Sequence, residues 1–245
     1  MDTLFEKVGF IDWYRKVYDP YFTNEEELNN FFYQVFKSDD TDKTPRRMMN
    51  QIKHFVTLAN DIGIIRPSRD ALQIVFIRTC IESLCKLANK GNKQQEDEDK
   101  SHFSSKYLDT QSHKYILDNF IFTGLETAYE MEEKERFLFD QKEDYDLSID
   151  DFGLILFTIR GMAVHEGDYW SMQFFSRDNE YAWLASVTTD YKMINCYKPQ
   201  KGKAVTYHFE TTLEYDKFFE CFVKGCICYL EKYIDRNKIM EGKYA

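Results

Sequence analysis

The sequence predicts a mainly α fold, a helical bundle with a small β-meander inserted before the C-terminal helix. Three observations predict it. Helix start and stop signals recur along most of the chain. The stretch Ser148–Trp170, SIDDFGLILFTIRGMAVHEGDYW, is an almost unbroken apolar helix that belongs in a core, since its surface is greasy all the way round. Between about 180 and 211 the pattern switches to β-branched and aromatic residues.

The elements follow in order. Thr23 or Asn24 caps a helix with Glu25, Glu26 and Glu27 in its first turn, favourable at the positive end of a helix, running to about Ser38. Thr44-Pro45 opens a second that ends near Gly63, with proline at the first helical position. A third, SRDALQIVFIRTCIESLCKLANKG, starts at Ser68 and stops at Gly91. The polar run NKQQEDEDKSHFSS has no periodicity and reads as a loop. A fourth helix is expected over about Thr110–Phe137. The fifth begins at Ser148, where Asp151 completes a capping box with aspartate in place of glutamate. WLASVTT, YKMINCY and AVTYHFETT read as strands, with KPQKGK turning between the last two, and a final helix spans about Leu213–Lys238. One domain is expected over 1–245, with 1–40 as a helical extension, 45–170 and 212–240 as the bundle, and 180–211 as the insertion.

Composition narrows the function classes. Hydrophobic residues make up 43% and charged residues 30%, as in a folded soluble chain and too apolar for disorder. No apolar run reaches the length of a membrane span and the N-terminus is unlike a signal peptide, so the expectation is a cytoplasmic protein without membrane contact. The six cysteines lack disulfide-framework or zinc spacing and read as small core hydrophobes. No metal and no cofactor is expected. The net charge of −10 is unevenly distributed: Lys43–Lys93 holds ten basic and three acidic residues, +7, leaving −17 elsewhere. A basic segment of that kind suits phosphate contacts or forms two solvated helix faces.

The candidate chemistry lies at the end of the apolar helix, where Arg160 and His165 stand with four residues between them, followed by Glu166, Gly167 and Asp168. A similar pair, Arg47 and His54, lies on an amphipathic helix and reads as surface. Upstream, Arg78, Glu82 and Lys86 recur every fourth residue and share one helix face. They form either a solvated stripe or a stripe packed against the apolar helix, with Glu82 orienting Arg160 or His165. A histidine at a helix end also commonly bonds the last carbonyls.

An apolar helix ending in IRGMAVHEG, preceded by a helix of the FIRTCIESLCKLA type, resembles the HEPN superfamily. Its ribonuclease members carry Arg-x4–6-His. The likeness covers about Pro45–Trp170 and the last helix. It implies a dimerising helical bundle whose two motifs meet across a two-fold axis as one metal-independent endoribonuclease site. Arg160 and His165 are the matching catalytic positions. Arg78, Glu82, Lys86 and Tyr169 become supporting or RNA-contacting residues, RNA the substrate, and the chain a homodimer. A toxin or defence role with an antitoxin or regulatory protein as partner goes with the family. One departure is Gly161, where the family commonly carries a polar residue, often Asn. A second expectation is therefore a catalytically silent module of the same kind that binds nucleotide, RNA or a protein partner.

The residues suit the reaction. Histidine is poised to take the 2′-hydroxyl proton and to protonate the leaving 5′-oxygen. A guanidinium matches the oxygens of a pentacoordinate phosphorus. Helical spacing sets Arg160 and His165 about 140° apart and ~7.5 Å along the axis. A symmetric second copy would help complete what one helix presents poorly.

Overall fold

A computed structural model describes residues 11–38, 41–67, 69–129, 136–140, 146–169, 171–175, 183–189 and 205–241. The chain is mainly α, with a small antiparallel sheet. The strand expected at YKMINCY, the turn KPQKGK, Cys196, Ser68 and Trp170 lie outside the described residues.

Helix α1 covers 11–18 and α2 Glu25–Lys37, where the Asn24 side chain accepts from Glu27 N at 2.9 Å. Tyr14, Tyr18, Phe31 and Phe32 form a ring cluster that seats this extension on α3, Thr44–Ile65, and the buried Tyr18 hydroxyl donates to Met49 O at 2.6 Å. Helix α3 packs along α4, Asp70–Ala88.

The polar run after Gly91 is not a loop. It forms α5, Lys93–Ser101, and α6, Phe103–Tyr107. Local signals hold α5: Asn92 caps it by accepting from Gln95 N, and Lys93 pairs with Glu96 and Asp97. One buried side chain anchors it. Asp99 accepts from Asn89, Gln95 and Tyr229 at 2.9–3.1 Å. Apolar periodicity could not reveal a helix whose buried anchor is an aspartate.

The helix expected over Thr110–Phe137 is also corrected. Helix α7 ends at Asp118, and the chain continues as β1, Phe120–Tyr129, and β2, Arg136–Asp140. Period two governs the start of β1. Phe120 and Phe122 are buried against Phe209 while Ile121 points to solvent, and a bulge falls between Phe122 and Gly124. With β3, Trp183–Thr189, and β4, Val205–Thr211, the order is β2-β1-β4-β3. The sheet is thus not confined to an insertion before the last helix, because half of it precedes α8.

Helix α8, Ile149–His165, opens with the expected capping box: Ser148 Oγ accepts from Asp151 N, and Asp151 Oδ2 accepts from Ser148 N. Phe152, Ile155, Leu156, Ile159 and Met162 are all buried. Each contributes roughly 1.5–3 kcal/mol on full burial. Helix α8 packs on α4 and α6. The C-terminal helix α9, Tyr215–Glu241, lies mainly on α3, α4 and α6 and meets α8 through Phe218 and Phe152.

Candidate active site

Packing α8 on α4 brings part of the two charged motifs together. Arg160 Nη2 donates to Glu82 Oε2 at 3.4 Å, with the two side chains 25% and 22% exposed. Of the two options for the Arg78–Glu82–Lys86 face, a stripe packed against α8 holds for its first two members. Arg78 is 3% exposed, and its guanidinium lies 5.7 Å from the Phe157 ring centre. Lys86 is exposed. The face therefore runs from core to solvent.

The electrostatics are unbalanced. Arg160 alone pairs with Glu82, whose charge also acts on Arg78 from further off, and Arg78 Nε, Arg160 Nε and Glu82 Oε1 are buried without a hydrogen-bond partner. Burial pushes the Arg78 pKa down; Glu82 opposes that shift and Arg160 adds to it. The group stays charged, because an arginine does not deprotonate in a protein.

His165 is exposed on the last turn of α8, and its side chain makes no hydrogen bond among the described residues. The helix-end role expected of such a histidine falls to the backbone. Glu166 N and Asp168 N both donate to Met162 O, a closure that needs the left-handed φ of 70° at Gly167. His165 shares an outward face with Leu154, Phe157, Gly161 and Val164, which recur at helical spacing. Phe157 is 43% and Val164 50% exposed, so the apolar surface of α8 continues into solvent. A Cβ built at Gly161 meets nothing within 4 Å. Tyr169 is half-buried against the core. The structure thus joins Glu82 to Arg160 and sets Arg78 beside them. His165 stands about a turn further on, and Lys86 stands apart.

No family model, curated protein or solved structure matches the chain.

The other motifs resolve simply. Arg47 and His54 are both exposed. His102 Nδ1 lies 3.0 Å from Asp150 Oδ2, and His113 Nε2 lies 2.9 Å from Ser104 O. His208 is half-buried. Cys80, Cys85, Cys221 and Cys226 are buried free thiols. Among the described residues no group of three His, Cys, Asp or Glu side chains could hold a metal ion, and no helix is long and apolar enough to cross a membrane. The basic segment does not present all ten cations to solvent: Lys53 is buried with its ammonium on the Trp13 ring, Arg78 is buried, and Lys90 and Lys93 are partnered. Sequence reasoning missed Phe157 and the His102–Asp150 pair. The first lay within an apolar run, and the second depends on the fold of α5 and α6.

Proposed function

We propose that this chain is a metal-independent endoribonuclease of HEPN type, acting as a homodimer whose two Arg160–His165 pairs form one composite site. The observation that carries this reading is the placement of His165. It is free and exposed on the outward apolar face of α8, while Glu82 fixes Arg160 on the flank of the same helix. An apolar helix face with Gly161 near its centre suits close approach by a second copy about a two-fold axis. That approach would bring both histidines to one cleft.

In the reaction, one His165 removes the 2′-hydroxyl proton and the 2′-oxygen attacks the adjacent phosphorus. The bond from phosphorus to the 5′-oxygen breaks, and the second His165 protonates the leaving oxygen. Arg160 stabilises charge on the phosphoryl oxygens. The products are a 2′,3′-cyclic phosphate and a free 5′-hydroxyl.

Two observations favour the silent-module reading: Arg160 is already engaged by Glu82, and Glu166 and Asp168 lie within three residues of His165. Cleavage of single-stranded RNA in EDTA separates the two. The expected result is cyclic-phosphate ends, with His165→Ala lowering the rate by roughly 10²–10⁴-fold at unchanged stability. Gly161→Asn has room for its side chain and sets an amide one turn before His165, so a rate gain would identify a weakened enzyme. A chain that cleaves no RNA and sediments as a monomer refutes the proposal.

A further inference from the structure

Two helical turns before His165, α8 borders a different feature. Helices α4, α5 and α8 enclose a cleft of about 410 Å³. Its wall is chiefly apolar, formed along α8 by Gly153, Leu154 and Phe157. Arg78 lines it as well, almost fully buried, with Nε lacking any acceptor. A desolvated guanidinium without a hydrogen bond is costly unless an anion meets it. The neighbouring charges do not supply one. Glu82 is the carboxylate of this cluster, its Oε2 is taken by Arg160, and two guanidiniums against one carboxylate leave a net charge of +1.

The rest of the charged lining is different in sign. Lys100 is tied to Glu96 and Asp97, His102 pairs with Asp150, and Asp151 belongs to the α8 cap. Asp97, Asp150 and Asp151 line the cleft and disfavour a polyanion, while the buried Arg78 favours a single negative charge beside it. An apolar wall of this size with few convergent polar groups is the form that small-molecule sites take.

We propose that this cleft binds a small arylalkyl monocarboxylate, its carboxylate on the Arg78 guanidinium and its ring against Phe157 and Leu154. The inference does not rest on the ribonuclease reading, since neither His165 nor a second copy takes part.

Calorimetric titration of the full chain tests it with 3-phenylpropionate, its neutral amide and phenyl phosphate. The acid should saturate one site per chain, with the amide and the phosphate each at least about tenfold weaker. Arg78→Met should abolish the preference for acid over amide, and Leu154→Trp should fill the cleft and block the acid while Arg78 remains. If Arg78→Met does not fold, the amide and Leu154→Trp still decide. Equal affinity for acid and amide, undiminished binding to Leu154→Trp, a preference for phenyl phosphate, or no saturation by about 10 mM acid would each overturn the proposal. RNA cleavage is not among these readouts, so the two proposals fail separately.

Discussion

Replacing Glu82 with glutamine is the sharpest probe of the α4–α8 contact. The substitution keeps the shape and a carbonyl oxygen that can still accept from Arg160 Nη2 at 3.4 Å. It removes the negative charge that faces both Arg160 and the buried Arg78, whose own pKa burial already pushes down. Two guanidiniums that already act on one another would then be left without that carboxylate. The pair is about three-quarters buried, with side chains 25% and 22% exposed, so solvent screens only part of the interaction. Removing one partner of a fully buried pair costs about 3–5 kcal/mol. Partial exposure and the retained amide acceptor bring the expectation to roughly 2–3 kcal/mol. In a chain of this length that lowers the melting temperature by roughly 4–12 °C. Urea unfolding followed by circular dichroism measures the change. The charge argument also fixes a double mutant: adding Arg78→Met removes one of the two stranded cations and should restore part of the loss. A Glu82→Gln protein as stable as the parent, or a double mutant with purely additive losses, would refute the view that the Glu82 charge acts on both arginines.

Two further perturbations test the surrounding structure. Burial raises the pKa of Asp42, but hydrogen bonds from Tyr233 and Thr44 and the charge of Lys90 outweigh it, so the net value lies below the usual carboxylate range. Such a group contributes stability above its unfolded pKa and loses it as pH falls through the folded value. Asp42→Asn should therefore cost about 1–2 kcal/mol near neutrality, with the difference closing below about pH 4 in unfolding curves taken across pH. At the start of α8, Ser148→Ala removes the acceptor for Asp151 N at 3.1 Å and should cost about 1 kcal/mol in urea unfolding, whereas no change would mean that the cap is redundant.

How much was legible in the sequence depended on what each element buries. Helices α2, α3 and α8 announce themselves because their start signals and apolar spacing agree: Asn24 before three glutamates, Pro45 at a helix start, Ser148 with Asp151. The run after Gly91 failed that test although it is helical, because its anchor is a hydrogen-bonded aspartate and, beyond the Asn92 cap, its remaining support is ion pairs on the surface. The segment after Asp118 misled in the opposite direction. Following a helix that has its own Asp109 cap, FIFTGLETAY continues without a proline, and only the alternation of Phe120, Ile121 and Phe122 marks the change. Its strand partner β4 begins at Val205, so the pairing that stabilises it could not be read locally.

The site shows the same division. That Arg78, Glu82 and Lys86 share a face follows from four-residue spacing, and that Arg160 ends an apolar helix follows from composition. Neither says that Glu82 reaches Arg160, which requires the crossing of α4 and α8. Spacing also treats Arg78 and Lys86 alike, whereas the crossing buries the first and leaves the second in water. The difference has a chemical consequence. A cation in water is paired by solvent, but a desolvated one must be paired by a neighbour, and the single negative charge of Glu82, already bonded to Arg160, cannot neutralise Arg78 as well. The apolar surface of α8 then divides into two regions. Around Gly161 and Val164 it lies beside the exposed His165, where a second copy would matter. Around Leu154 and Phe157 it lies beside the buried Arg78, where a small anion would. One helix that is greasy on every side can serve both, because α4 and α6 cover only its inner face.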